Sequence, residues 1–266
     1  MAKQDVEKAR KLATDHIDSK SSELRSKVNQ VLHSNPETAW EEKIAHDTIT
    51  SYLESAGYNV TRHAHGIETS FEATAGSGGR QIVICAEYDA LPNIGHGCGH
   101  NLIATASIAA FIGIAQALAQ LKIPGRVRLL GTPAEEVGGG KALLLEKGAF
   151  EPHQDIAAAI MAHGLPLHIV SGAGVSGIAG VQMLARNSIS VEFRGRPAHA
   201  AAEPWSGVNA LDAAVAAYNG AAMLRQQIKP DERIHAIIKD GGSAVNVVPD
   251  YVCMLWCGSH GGGLYI

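Results

Sequence analysis

The stretch Gln81-Ile-Val-Ile-Cys-Ala-Glu-Tyr-Asp-Ala-Leu-Pro-Asn-Ile-Gly-His-Gly-Cys-Gly-His-Asn101 decides how this chain is read. Its first six residues, Gln81 to Ala86, are almost continuously apolar. That pattern predicts a central strand buried on both faces, as in a parallel sheet. The polar run that follows carries two carboxylates (Glu87, Asp89), two histidines (His96, His100) and Cys98 within fourteen residues. It begins just past the strand, at the carboxyl edge where α/β sheets hold ligands. Cys98 and His100 flank Gly99, so a tight turn permitted by glycine could aim both at one metal centre. A glycine-rich turn with a core cysteine and a solvent histidine is the competing reading.

Working outward, apolar spacing predicts a helix from about Asp5 to Leu32, stopped at Ser34-Asn35-Pro36, and a second from about Trp40 to Ser55. Tyr58 to Arg62 reads as a strand, and Ser70 to Thr74 and Gln81 to Cys85 as a strand pair across Gly76-Ser77-Gly78-Gly79. Downstream come a helix from about Asn101 to Leu121, a strand Val127 to Leu130, a Gly138-Gly139-Gly140 loop with a helix to Lys147, and a strand Ile156 to Met161. This alternation predicts parallel crossovers in a three-layer α-β-α domain of the α/β class. After Gly180 the order becomes strand (Ser188 to Phe193), helix (Gly207 to Gln227), strand (Arg233 to Lys239), strand (Val247 to Trp256). Those are the first four elements of an α+β ferredoxin-like unit. The expected division is a first domain over 1–180, a partial second domain over 181–257, and an aperiodic tail over 258–266.

Two more strand ends carry ligand-type residues. Gly131-Thr-Pro-Ala-Glu135-Glu136 follows Val127 to Leu130, and adjacent carboxylates at a strand end point in different directions. One can bind metal while the other handles protons, as metal-assisted hydrolysis needs, although a solvated turn would look the same. Met161-Ala-His163-Gly164 follows the next strand; alone, His163 reads as structural, and as the third such strand end it reads as a ligand. A Cys, His and carboxylate mixture suits zinc better than magnesium. His199 and Asn246 sit in loops of the second unit, where packing or turn roles are the plainer reading.

Composition narrows the partners. The 266 residues hold 22 Lys plus Arg against 26 Asp plus Glu, a net charge of −4, which argues against nucleic acid as a main partner, since phosphate binding needs a concentrated basic face. The N-terminus is too charged for a secretion signal. The apolar run Ile103 to Leu121 contains Thr105, Ser107, Gln116 and Gln120, which favours a buried helix over a membrane span. Four irregularly spaced cysteines are no disulfide framework, so the cytoplasm is the expected compartment.

Several motifs together resemble one family. They are Asn35-Pro-Glu37, Glu87-Tyr-Asp-Ala-Leu-Pro92, Gly95-His-Gly-Cys-Gly-His-Asn101, Gly131-Thr-Pro-Ala-Glu-Glu136, His199-Ala-Ala-Ala, Pro204-Trp-Ser-Gly-Val-Asn-Ala-Leu-Asp-Ala-Ala214 and Leu224-Arg-Gln-Gln227. They are similar to the zinc-dependent amidohydrolases and peptidases that include aminoacylase, carboxypeptidase G2 and the plant auxin-conjugate hydrolases, and within these to the β-alanyl-lysine dipeptidase-like subgroup. The resemblance covers roughly residues 5 to 252. It implies a metallohydrolase domain with an inserted lid, both incomplete here. By resemblance Cys98 bridges metal, His100, His163 and Glu136 are further ligands, and Glu135 is general base and then general acid. His199 would stabilise the oxyanion, Asn246 would meet the substrate near its carboxylate, and Asp89 would support the metal site from behind.

The implied reaction is hydrolysis of an amide in a dipeptide or an N-acyl amino acid, with zinc as the expected metal and manganese or cobalt as alternatives. Lid domains in relatives often pair, which implies a homodimer, and no membrane or nucleic-acid partner is expected. The wider family has His-x-Asp where this chain has Glu87-Tyr88-Asp89. A further lid helix and strand and a last histidine ligand find no match, so the expectation is a truncated or altered C-terminus after about Tyr251. A non-catalytic, dimerising family member is the competing reading.

Overall fold

The computed structural model describes residues 3–165, 177–180 and 184–261. They fold as two compact units, Met1–Ser171 and Gly172–Ile266.

The first unit begins with α1 (Lys3–Leu24), a π-helical turn (Arg25–Asn29) and α2 (Gln30–Ser34), one after another without a break. Leu24, Val28 and Leu32 are buried, the four-residue spacing of one helix face. Pro36 stops the run, because the residue before a proline is driven out of the helical region. Helix α3 (Lys43–Ser55) starts later than Trp40. Its first turn is capped from a distance: the Glu37 carboxylate accepts from the N–H groups of Ile44 and Ala45, each at 3.0 Å.

Five strands, β1 (Asn59–Arg62), β2 (Phe71–Ser77), β3 (Gln81–Ala86), β4 (Gly125–Gly131) and β5 (Ile156–Ile160), form one sheet in the order β1-β2-β4-β3-β5. The expected β2–β3 hairpin does not form. Strand β4 lies between them, antiparallel to β2 from Glu72↔Leu130 to Ser77↔Gly125 and parallel to β3 from Gln81↔Arg126 to Ala86↔Gly131. The central slot suits β4, which buries Val127 and Leu129 in one layer and Leu130 in the other and pairs its Arg128 with Glu72 at 2.6 Å. Close approach helps too, since a Cβ on Gly76 would stand 2.3 Å from the Gly125 carbonyl oxygen.

The period-two alternation of strands sorts side chains into two layers. Ile84, Ala86, Val127 and Leu129 pack with α3, α4 (His100–Leu121) and the first helix, whereas Val83, Cys85 and Leu130 pack with Leu144 of α5 (Gly140–Glu146) and Ala149. The result is the expected three-layer α-β-α sandwich. Each fully buried Leu, Ile or Phe contributes about 1.5–3 kcal/mol. By length and composition α4 could cross a membrane, yet half of its apolar window is buried within this unit.

The second unit contains β6 (Leu184–Arg194), α6 (Ala210–Leu224), β7 (Arg233–Asp240) and β8 (Tyr251–Gly261), with the strands in the order β6-β8-β7, neighbours antiparallel. Asn209 caps α6, its Oδ1 accepting from Leu211 N at 2.9 Å and Asp212 N at 3.3 Å. Ala210, Ala214, Val252 and Met254 form the core, with Phe193, Tyr218 and Trp256 against them. Side-chain pattern alone ends the last strand at Trp256 and begins an aperiodic tail at 258. The strand instead runs to Gly261, with Gly258 opposite both Asn187 and Ile234. Ladder bonds join backbone groups, so a segment without side-chain alternation still pairs when both flanks offer partners. Residues 262–266 of that expected tail lie outside the described residues.

Candidate active site

The polar loops after β3 and β4 are tied together at their roots. The Ala86 carbonyl accepts from Thr132 N at 2.8 Å and from Thr132 Oγ1 at 3.0 Å. Tyr88, fully buried, donates its hydroxyl to the Thr69 carbonyl at 2.5 Å, and Ala90 N donates to the Glu37 carbonyl at 2.7 Å. Asn35-Pro-Glu37 therefore has two structural uses, starting α3 and anchoring the Glu87–Asn101 loop. Ala134, at φ +55°, donates its N–H to the buried Glu42 carboxylate at 2.8 Å. Gly140 backs this turn, because a Cβ there would lie 1.8 Å from the Pro133 carbonyl oxygen. Backbone held in a sparsely populated region needs such over-determination.

His100 opens α4 after Gly99, whose φ of +81° turns the chain sharply enough to bring Cys98 and His100 to one side. The His100 ring is completely buried. Its Nδ1 is 3.0 Å from Asp89 Oδ1, and Asp89 Oδ2 accepts from Glu136 N at 2.9 Å. The opposite nitrogen, Nε2, lies 3.4 Å from Glu87 Oε2, 3.7 Å from Glu136 Oε1 and 3.8 Å from Glu135 Oε2. Cys98 Sγ is 3.4 Å from His163 Nε2, whose ring is turned by Nδ1 bonding to the Gly164 carbonyl at 2.7 Å. Two groups have ligand atoms all within 4.8 Å of one another: Cys98, His100 and His163, and Glu87, His100 and Glu135.

These groups change one another's proton affinity. Burial, then the charges of Glu136, Glu135 and Glu87, pushes the Cys98 thiol up to about 12. Burial, then Glu87, raises the Glu135 carboxyl above the ordinary range. Burial opposes ionisation of both Asp89 and His100, but the hydrogen bond between them prevails: Asp89 is lowered and His100 raised. The donor set fits a divalent cation. His100 Nε2 and Glu87 Oε2 are buried without a hydrogen bond, and a positive ion would relieve the crowded carboxylates and stabilise the thiolate.

Of the residues singled out in the sequence, Cys98, His100, Glu135, Glu136, His163 and Asp89 come together in the first unit. His199 and Asn246 belong to the second unit, where Ala200 N donates to the Asn246 carbonyl at 2.9 Å and joins their loops. His96 turns from the cluster: its Nε2 is 3.1 Å from the Leu32 carbonyl and its ring stacks on His33. Sequence reasoning counts Glu87 in the ligand-type cluster after β3 but gives it no specific role. Lys141 escapes it altogether. Its ammonium pairs with Glu87 Oε1, and nothing in a lone lysine at a helix start announces that contact.

Comparison with known proteins places the chain in a family. The crystal structure of a dinuclear metal-binding peptidase of the M20 family from Bacillus subtilis superposes with a TM-score of 0.60 at 20% identity, over 92% of this chain and 66% of that one. The Xaa-Arg dipeptidase of Mus musculus is 40% identical over 260 residues, which are 93% of this chain and 57% of the relative. The Xaa-Arg dipeptidase of Homo sapiens is 38% identical over 258 residues, 91% of this chain and 56% of that protein. One component of the p-aminobenzoyl-glutamate hydrolase of Escherichia coli K12 is 36% identical over 232 residues, 80% of this chain and 46% of that protein. The chain spans about half the length of the curated relatives it matches. The profile of peptidase family M20/M25/M40 matches residues 83–263, from the middle of β3 past the end of β8. The chain belongs to that family.

Proposed function

We propose that this chain carries the metal centre and lid of a hydrolase that cleaves the amide bond of a dipeptide, with an N-acyl amino acid as the alternative substrate. The observation that supports it is the convergence of Cys98, His100, His163, Glu135 and Glu136 from three successive strand ends. Cys98, His100, His163 and Glu136 would hold the metal, for which zinc is the best match to a thiolate and imidazole set. When bound, zinc supplies Lewis acidity, acidifying water and polarising the scissile carbonyl.

The remaining steps belong to the chain. Glu135, partly open to solvent and with its carboxyl raised by burial and by Glu87, is suited to take a proton from the attacking water. It then delivers that proton to the departing amine. Asp89 holds His100 by Nδ1, so that Nε2 faces the cluster. In the second unit, His199 Nδ1 accepts from Ala201 N and Ala202 N, both at 3.2 Å, which leaves Nε2 to donate. That is the tautomer an oxyanion donor needs. Asn246, on the adjoining loop, is assigned to the substrate carboxylate. Pairing of lids into a homodimer and a reducing, cytoplasmic setting that keeps Cys98 a thiol complete the reading.

The test combines metal content with hydrolysis of dipeptides ending in arginine, the preference carried in the mouse relative's name, alongside p-aminobenzoyl-glutamate and N-acetyl amino acids. In the longer relatives, replacing the residue equivalent to Glu135 by glutamine is expected to lower turnover by about 10²–10⁴ while leaving bound metal unchanged. Turnover that survives this change refutes the general-base role, and a chain that binds no divalent ion refutes the metal centre.

A further inference from the structure

A cleft of about 660 Å³ lies between the π-helical turn that joins α1 to α2 and the first turn of α4. That size falls in the range of small-molecule sites. None of the residues assigned to the candidate active site lines it; Arg25, His33, His96, Asn101 and Leu102 do. The lining includes neither Asp nor Glu, and the Arg25 guanidinium has no hydrogen bond or ion pair among the described residues. Arg25 opens the π-turn, where Gln30 N donates to the carbonyl five residues back. Such wide turns shift the following side chains around the helix and occur often at functional sites.

The opposite wall offers donors. Helix α4 runs for 22 residues from His100, and no side chain caps its first N–H groups, so its N-terminus favours negative charge. Asn101, in that first turn, is only 4% exposed. Its side-chain amide lines the cleft and has no hydrogen-bond partner among the described residues. Buried amides are normally satisfied, by protein or by what the protein binds. His96 adds the reverse need. Its Nε2 lies 3.1 Å from the Leu32 carbonyl and so donates, which in the neutral ring leaves Nδ1 an acceptor, buried without a partner.

A bare anion satisfies Arg25, Asn101 and the helix N-terminus but not His96, which needs a donor. A carboxylate with an N–H or O–H on the neighbouring carbon supplies both. Leu102, 60% exposed, offers apolar surface to the rest of such a molecule. We propose that this cleft binds a small α-amino or α-hydroxy acid. Its carboxylate meets Arg25, the Asn101 amide and the first N–H groups of α4, and its adjacent N–H or O–H donates to His96 Nδ1. The assignment is independent of the metal-centre reading, because no metal-holding residue lines the cleft. Amino acids released by the proposed hydrolysis are one source of the ligand and free hydroxy acids the other.

NMR titration of the purified chain with L-leucine, L-lactate and acetate tests this, run with zinc and again after chelation. L-Leucine or L-lactate is expected to move the Asn101 side-chain amide and the His96 ring resonances equally in both states. The tighter of the two identifies the source. Acetate lacks the donor and is expected to bind about tenfold more weakly. Arg25→Gln alters an exposed side chain and leaves the core intact; it is expected to weaken binding about tenfold or more, with Arg25→Lys falling between. A chain in which no probe moves the Asn101 and His96 signals overturns the proposal. So does movement that requires zinc, since the ligand is then on the metal centre, and so does wild-type affinity in Arg25→Gln. Acetate binding as tightly as L-lactate and L-leucine overturns the ligand class. A chain that binds no metal but shows the zinc-independent shifts refutes the metal-centre reading and leaves this one standing.

Discussion

Asp89→Asn isolates the contribution of one oxygen to the proposed metal centre. The side chain keeps its shape, and Asp89 is almost wholly buried, so the change in charge and hydrogen-bond type dominates. The carboxylate serves two donors, His100 Nδ1 at 3.0 Å and Glu136 N at 2.9 Å. Asparagine offers one acceptor and one donor, and so satisfies only one of them. If its oxygen keeps the Glu136 N–H, its amide faces His100 Nδ1 and drives the ring proton to Nε2, where the ligand lone pair is needed. If its oxygen keeps His100, its amide confronts the Glu136 N–H and the ligand loop is pushed away. Either way a charge-assisted bond behind a ligating histidine is lost, and such losses weaken metal binding by about 10–100-fold. That is about 1.4–2.8 kcal/mol. Competition for zinc between the chain and a chromophoric chelator at neutral pH measures it directly. An affinity within about threefold of wild type would refute the reasoning, since it would mean that neither the tautomer nor the loop position depends on Asp89.

Three further outcomes follow from the same geometry. Burial raises the Glu42 carboxyl, so the folded state holds its proton more tightly than the unfolded chain, and the stability that this proton gives is lost as pH rises from 4.5 through the raised value. Glu42→Gln keeps an acceptor for Ala134 N and should gain stability relative to wild type between acid and neutral pH in urea unfolding; a relative loss at neutral pH contradicts the sign. Gly140→Ala places a Cβ 1.8 Å from a backbone oxygen and should cost at least about 1–3 kcal/mol by the same assay, with weaker zinc binding as the Glu135 turn moves. Gly220→Ala, on α6 with nothing within 4 Å of the added Cβ, should instead stabilise by about 0.5–1 kcal/mol, and an equal loss at both glycines would sink the steric argument.

Much of the fold was legible because its signals are local. The helix over α1 and α2 showed in the spacing of Leu24, Val28 and Leu32, and β3 in its unbroken apolar run. The candidate site was legible for the same reason: Glu135 and His163 come within four residues of the ends of β4 and β5, and the Cys98–His100 pair closes the loop that follows β3, so locating the strands located the candidate ligands. Neighbour relations were not legible. The Gly76–Gly79 turn reads as a hairpin, yet β4 lies between β2 and β3. The continuation of β8 to Gly261 was hidden too, because pairing there depends on backbone groups of β6 and β7 and not on the side chains of Gly258 to Gly261.

By itself the sequence determined which ligand types end which strands, the alternation that makes an α-β-α layer structure, and the motifs that mark the family. These are properties of residues a few positions apart, where periodicity and turn chemistry act. Only the tertiary structure decided that Asp89 engages one nitrogen of His100 and leaves the other facing the cluster, and that Lys141 meets Glu87 from 54 residues away. The physical reason is that a buried carboxylate takes its counter-charge from whatever the fold brings within reach, and spacing along the chain carries no record of that meeting.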